Sequence, residues 1–446
     1  MSYHETINYL YNLQKYGIKF GLDNITRLMS VLENPHKSFF SIHVAGTNGK
    51  GSTSAIIASL LQSFGLKVGL FTSPHLVSFT ERIRIDGMEI TEDEVIDLTE
   101  EIRNKSSDFS PTFFEVVTAM ALLFFKRKEV DAAVIEVGMG GRLDATNIVV
   151  PEVSCITRIN YDHIQFLGGT LKEIAHEKAG IIKDGIPVVI SPQVSEVLEV
   201  IESKAKEKNT KVYLYGRDFS SILNSEDISG ICFEYHGDFT IHDLYLPLIG
   251  EHQMHNASVA IKTIALLFNK LASNFSLPTS HYIREGLKNL RWPGRLEIIK
   301  DEPPILIDGA HNPAAAVALS KALIKNFLGR YKRIILILGI MGDKDIKGIM
   351  EPLLPLASEI ILTSPDYARA ASPARLADTA ASLGFPDVII TPTVKDALEL
   401  AENISQAEGK EGRHRSSLIL VTGSFYTIGE AKEVIGQKGV LTKLRE

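Results

Sequence analysis

The 446-residue sequence predicts an α/β protein of two units, each built on a mostly parallel sheet with helices on both sides. Three observations carry that expectation. Apolar runs rich in β-branched residues alternate with segments of helical period along most of the chain. Between Val212 and Pro247 the rhythm breaks into VYLYGRDF, ICFEYHG and FTIHDLYLPL, which read as antiparallel strands on an edge of the first unit. At Arg291–Lys300 (RWPGRLEIIK), Pro and Gly stand between a helical pattern and a new strand, and the alternation starts again.

In chain order, the first unit has candidate strands at Phe39–Val44, Val68–Phe71, Ala132–Val137, Val153–Thr157 and Pro187–Ser191. Helical patterns lie between them, such as Ile57, Leu60, Leu61 and Phe64, whose spacing covers one face. A helix over about Gln253–Lys270 follows the antiparallel segments. The second unit has candidate strands at Ile305–Asp308, Ile334–Gly339, Glu359–Thr363, Val388–Ile390 and Leu418–Thr422. Gln406–Ser416 (QAEGKEGRHRS) reads as a polar surface loop.

Composition is that of a soluble globular protein, 45% hydrophobic and 23% charged, and the net charge is −7. That balance gives no footprint for general nucleic-acid or anionic-membrane binding, though a local basic pocket for a small anion stays open. Two lone cysteines, Cys155 and Cys232, suit a reducing compartment and exclude a disulfide framework or a cysteine zinc site. The longest apolar run, Val116–Phe125, is about half a membrane span, and the N-terminus lacks a basic stretch followed by an apolar one. The expected address is the cytoplasm.

The segment FFSIHVAGTNGKGSTSAIIASLL reads strand, glycine-rich turn, helix. Gly46, Gly49 and Gly51 let backbone N–H groups approach an anion at a helix N-terminus, where the helix dipole favours negative charge. Lys50 supplies a point charge for β/γ-phosphates, and Ser52 or Thr53 a hydroxyl for Mg²⁺. The generic phosphate-loop pattern is not strictly met: Val44 stands where a glycine is expected and Gly51 where a hydroxyl is expected. A tight strand–helix turn with an exposed lysine is the competing reading. Glu136 ends an apolar strand expected beside the phosphate-loop strand, where a carboxylate can bind a Mg²⁺ that bridges phosphates.

GTNGKGS at 46–52 resembles the phosphate loop of the folylpolyglutamate synthase/dihydrofolate synthase family, a branch of the Mur-ligase superfamily. Further segments resemble that family in the same order: FTSPHL, ERIRIDG, IEVGMGGRLDATN, DHIQFLG, EKAGIIK, WPGRLE, IDGAHNP, GIMGDKD and TGSFY, together spanning residues 46–426. The resemblance implies a Mur-ligase-like ATP-binding domain over 1–294 and a smaller Rossmann-like, glutamate-ligase domain over 295–446. It implies ATP and Mg²⁺ at two sites, with a monovalent cation as a further ligand.

Residue by residue, the resemblance assigns the phosphates to Gly46, Thr47, Asn48, Gly49, Lys50, Gly51 and Ser52, and the metals to Ser73, Glu136 and His163. On its own His163 reads as structural. Lys178 matches a lysine that the family carbamylates; as a plain lysine it is a phosphate contact or a salt-bridging helix residue. Asp308, His311 and Asn312 follow a strand at the carboxyl edge where open α/β sheets bind ligands. By resemblance Arg295, Asp308 and His311 reach the nucleotide or glutamate on domain closure, and Asn256 lies near the adenine. Lys50, Lys178, Arg295 and His311 are the implied catalytic set.

On the acid-substrate side, Thr112, Phe113, Phe114 and Glu115 (TFFE) offer rings that could stack on a flat heterocycle or fill the core. Arg82 could meet an acidic substrate or the closing interface, and Asp144 and Asn147 (DATN) are candidate substrate contacts. His75 is read as a surface residue, TGSFY as a loop without chemistry, and Lys183 as a charge near the phosphates or a solvated lysine.

The implied activity is ATP-dependent addition of L-glutamate to folates, and to dihydropteroate as well, through an acyl phosphate. Alternatives are a polyglutamylating enzyme only, another Mur-type amide ligase, or a phosphate-loop switch ATPase. A peptidoglycan ligase usually carries a UDP-substrate domain before its phosphate loop, and here that loop begins by residue 46. The expected partners are small-molecule substrates only, with the chain a monomer.

Overall fold

The first unit is organised around strands buried on both faces. A computed structural model describes residues 1–16, 21–270, 280–407 and 417–436. Its main sheet comprises β1 (Phe40–Ala45), β2 (Val68–Phe71), β3 (Ile83–Ile85), β4 (Met88–Glu89), β5 (Ala132–Glu136), β6 (Val153–Ile156), β7 (Val188–Ile190) and β8 (Val212–Leu214). Their spatial order is β4-β3-β2-β5-β1-β6-β7-β8. Neighbours are parallel except at the β2–β3 and β3–β4 pairs. Along β5, Val134 joins one hydrophobic cluster while Ala133 and Ile135 join another, as expected of a strand covered on both sides.

Helices Lys50–Ser63 and Glu251–Lys270 cover the first face through Ile56, Leu60, Ala257 and Ile261. Helix Phe113–Arg127 covers the other, and its Phe125 is fully buried. Burying such a ring contributes roughly 1.5–3 kcal/mol. That apolar run is a core helix, and among the described residues no helix is long and apolar enough to cross a membrane.

The irregular stretch differs from the sequence expectation in two ways. Val212–Leu214 is not antiparallel; it pairs parallel with β7 as the edge of the main sheet. The separate three-stranded antiparallel sheet is β9 (Ser220–Asp227), β10 (Gly230–His236) and β11 (Thr240–Leu246), with β10 in the centre. β9 (SSILNSED) is polar and partly exposed along its length, so it carries no apolar alternation to read. Ile231, Phe233 and Tyr235 on β10 point inward against the Glu251–Lys270 helix.

The second sheet comprises β12 (Glu297–Asp301), β13 (Pro304–Ile307), β14 (Arg333–Leu338), β15 (Glu359–Leu362), β16 (Ile389–Ile390) and β17 (Ser417–Thr422). Its order is β12-β13-β17-β14-β15-β16, parallel except for the β12–β13 hairpin. Of the loop expected at 406–416, Gln406 and Ala407 end the Val394–Ala407 helix and 408–416 lie outside the described residues. Leu76 and Val77, from the first unit, are buried in a cluster with Ile305, Ile307 and Ile428 of the second. That contact brings the carboxyl ends of β1 and β5 to face those of β13 and β17.

Candidate active site

The loop after β1 is shaped by close approach. Gly46 has φ near +146°, and a Cβ there would collide with the Thr157 side chain. Gly49, at φ near +92°, precedes the Lys50–Ser63 helix as an N-cap with no side-chain hydrogen bond, and Asn256 packs against it. The first N–H groups of that helix are therefore left for an anion. Gly51 replaces the generic hydroxyl residue because the Trp292 ring lies against it, 2.9 Å from where a Cβ would be. Gly46→Ala should cost on the order of 2 kcal/mol or more from backbone strain and overlap, read as a lower denaturant midpoint.

The amides of Thr47 and Asn48 donate to the Arg158 carbonyl at 3.0 and 3.1 Å, so these residues fix the loop rather than offer N–H groups. The Asn48 side chain instead crosses to the second unit, where it and Asn312 exchange hydrogen bonds of 3.2 and 2.8 Å. Lys50 Nζ donates to the Thr47 carbonyl at 3.3 Å.

Glu136 ends β5 next to this loop and is 3% exposed. Burial pushes its carboxyl up to about 6, against the pull of Lys50, the Ser73 amide and Arg295. The Ser73 N–H donates to Glu136 Oε2 at 3.0 Å. A buried carboxylate this poorly compensated fits a cation as its partner. His163 sits at φ near +51°, and burial pushes its imidazole down to about 4 against the attraction of Asp162, so it offers a lone pair at neutral pH. No group of three or more His, Cys, Asp or Glu gathers as a ready cage among the described residues.

Lys178 is buried beneath the loop, where its Nζ donates to the Gly46 carbonyl at 2.8 Å. Burial and the nearby Lys50 charge lower it to about 7, against Asp162 and Asp144. A lysine lowered this far is uncharged, and hence nucleophilic, far more often at neutral pH than a solvated one.

From the second unit, Asp308 is pushed up by burial against Arg295, and accepts from Leu296 N at 3.1 Å and Ala310 N at 2.9 Å. His311 Nδ1 donates to the Gly309 carbonyl at 2.8 Å, and its Nε2 faces Asp162 at 3.5 Å. Asp162 also pairs with Lys344 at 2.5 Å. Although burial pushes Asp162 up, the His311 hydrogen bond and the charges of His311, His163 and Lys344 hold it well below the usual carboxylate range.

One cavity of about 1210 Å³ joins these groups. Of the residues expected at the site from the sequence, Thr53, Arg82, Asn147, Lys183 and Asn312 are absent from its lining and the others line it. Arg82 is 1% exposed, donates from Nε to His75 Nδ1 at 2.9 Å and lies over the Phe113 ring, so it braces the wall from behind. His75 is buried rather than on the surface, and its Nε2 lies 3.3 Å from the Tyr11 hydroxyl. Asn147 Nδ2 donates to the Arg142 and Gly180 carbonyls, and Lys183 Nζ to the Asn147 carbonyl, which makes both residues loop ties. Thr112 and Glu115 line the cavity while capping the Phe113–Arg127 helix reciprocally. Phe113 stacks on Tyr11 at 5.3 Å, and Phe114 is the more accessible ring.

The sequence reading missed several lining residues: Arg158, His252, Asp162, Lys344, Tyr367 and Arg369. Lys344 lies in GIMGDKD, a segment already singled out without a role. TGSFY also reaches the cavity, where Phe425 packs 5.2 Å from the His311 ring and lies 4.8 Å from the Arg295 guanidinium.

The chain is similar over most of its length to known proteins. Residues 44–264 match the Mur ligase middle domain, and 294–425 match the Mur ligase, glutamate ligase domain. The dihydrofolate synthase/folylpolyglutamate synthase of Bacillus subtilis (strain 168) is 34% identical over 441 residues, covering 97% of this chain and 99% of that one. The folylpolyglutamate synthase of Lacticaseibacillus casei is 38% identical over 371 residues, covering 81% and 85%. The structure of Mycobacterium tuberculosis folylpolyglutamate synthase complexed with ADP and AMPPCP superimposes with a TM-score of 0.90 at 33% identity, covering 98% of this chain and 100% of that one.

Proposed function

The chain belongs to the dihydrofolate synthase/folylpolyglutamate synthase family of ATP-dependent ligases, and from that premise we propose that it joins L-glutamate to folates and to dihydropteroate. The observation that carries the reading is one cavity whose first-unit wall is a phosphate loop and whose second-unit wall presents Asp308, His311 and Lys344. We take residues 1–294 as the nucleotide-binding part and 295–446 as the glutamate-ligase part.

A carboxylate resists attack by an amine because its leaving group would be oxide. Transfer of the γ-phosphoryl group of ATP to a carboxylate oxygen gives an acyl phosphate and ADP. The glutamate amine then attacks the acyl carbon, loses a proton, and the tetrahedral adduct expels inorganic phosphate as the amide forms. The chain must hold the triphosphate, align the acid with the γ-phosphorus and exclude water from the acyl phosphate.

Gly49–Ser52 with Lys50 take the phosphates on a loop that Gly46, Thr47 and Asn48 shape, Asn256 lies toward the base, and Arg295, Asp308 and His311 close on the nucleotide or glutamate from the hinge side. Ser73, Glu136 and His163 would hold Mg²⁺ at two sites, which neutralises phosphate charge when bound; a monovalent cation completes the proposed ligands. The neutral amine of Lys178 adds to CO2 and loses a proton, replacing a buried cation by an anion. Phe114, with Phe113 behind it and Thr112, Glu115 and Asp144 beside it, shapes the end that takes the pterin. We place the enzyme in the cytoplasm as a monomer acting on small molecules, with no nucleic acid or membrane as partner.

The test is release of ADP and phosphate, expected only when a pterin acid and L-glutamate are both present. Mass spectrometry of products made separately from dihydropteroate and from a reduced folate should show one added glutamate on the first and further glutamates on the second. Activity with the folate alone would identify a polyglutamylating enzyme only. Turnover with a UDP-muramyl acceptor, or hydrolysis without any acceptor, would overturn the assignment.

A further inference from the structure

β1 carries a histidine in the middle of an apolar strand. His43 lies between Ile42 and Val44, is fully buried, and has Nε2 2.8 Å from the Thr146 hydroxyl. The Thr146 hydroxyl is in turn 2.5 Å from Asp144 Oδ1. Asp144 receives backbone N–H groups on both oxygens, from Thr146 at 2.9 Å and Met139 at 2.9 Å. Burial pushes the Asp144 carboxyl up, but with backbone N–H groups on both oxygens it is an acceptor on each side, and the single Thr146 proton points to Oδ1. The Thr146 oxygen must then accept from His43, which places the His43 proton on Nε2. Nδ1, left as a bare lone pair, has no partner among the described residues.

The loop wrapped around Asp144 is the cavity wall that follows Glu136. Gly138, Met139, Gly140, Gly141, Leu143 and Asp144 line it, and Gly138 lies so close to Phe114 that a Cβ there would collide with the ring. We propose that His43 is a positioning residue for the acid substrate: through Thr146 it fixes Asp144, and with it the wall against which Phe114 and the pterin end are set. This inference rests on the reading that this end of the cavity takes the pterin acid. His43 itself lies outside the cavity lining and touches neither substrate nor phosphate loop.

The test is steady-state kinetics of paired variants. Thr146→Val and His43→Leu should raise KM for the pterin acid by about tenfold, the worth of one buried hydrogen bond, while KM for MgATP stays within about twofold. Thr146→Ser keeps the hydroxyl, and His43→Gln keeps an N–H donor of similar reach, so both should stay within about threefold of wild type. If His43→Leu does not fold, the Thr146 pair carries the comparison. The proposal is overturned if Thr146→Val leaves KM for the acid unchanged, shifts KM for ATP equally, or is matched by Thr146→Ser. Nitrogen-15 shifts of the His43 ring supply a readout independent of turnover. The Nε2–H tautomer is expected and Nδ1–H would overturn the relay, even if the wild-type chain ligates no pterin acid and the functional reading fails by itself.

Discussion

Glu136→Gln should lower kcat/KM for MgATP on the order of 10³-fold while leaving the ligand-free protein more stable than wild type. The two effects have one cause. The wild-type carboxyl is pushed from 4.5 up to about 6 by burial, so its ionised form carries a penalty of about 2 kcal/mol in the ligand-free fold. Because the folded value lies above the unfolded one, the penalty is absent below the unfolded value and fully present above the folded one. At neutral pH glutamine removes it and still accepts from the Ser73 amide. A denaturation midpoint that rises as activity collapses would tie the strain at Glu136 to cation and nucleotide binding. A variant that keeps wild-type activity would remove Glu136 from the site.

Lys178→Ala should reduce glutamate incorporation on the order of 10²-fold or more and weaken ATP binding far less, since the side chain lies behind the loop and not among its free amides. If the working group is a carbamate, the wild-type protein should give a carbon-13 carbamate signal in labelled CO2 that Lys178→Ala lacks. Only the neutral amine reacts, so occupancy should fall as pH drops below the amine's value of about 7. A small carboxylate such as formate should restore part of the activity of Lys178→Ala by supplying the missing anion. Full activity of wild-type protein rigorously freed of CO2 would show that the lysine acts unmodified.

The legible parts of this site were those written into short, local patterns. Gly46, Gly49 and Gly51 with Lys50 announce a bare helix N-terminus because only glycine tolerates the approach of Thr157, Asn256 and Trp292. Glu136 was legible because a carboxylate closing a buried strand after four apolar positions has few structural uses. What stayed hidden depends on partners far apart in the chain. Nothing within a few residues of Lys344 reveals that it pairs with Asp162, 182 positions away. Arg82 and His75 looked like surface or substrate groups because charge and ring nitrogens normally seek water; here they satisfy each other behind the wall. Asn147 looked like a ligand contact through its neighbours, yet its amide nitrogen is spent on backbone carbonyls. β9 escaped notice since a polar strand on a solvated sheet has no hydrophobic period to display.

The most direct test of the account follows the acid's own oxygen. A pterin acid labelled with heavy oxygen in its reacting carboxylate should, on turnover with ATP and L-glutamate, deliver one labelled oxygen to the released phosphate, because that oxygen bridges carbon and phosphorus before the amine displaces it. Inorganic phosphate carrying none of the label, with amide formed at the normal rate, would contradict activation of the acid by the nucleotide held at Gly46–Ser52.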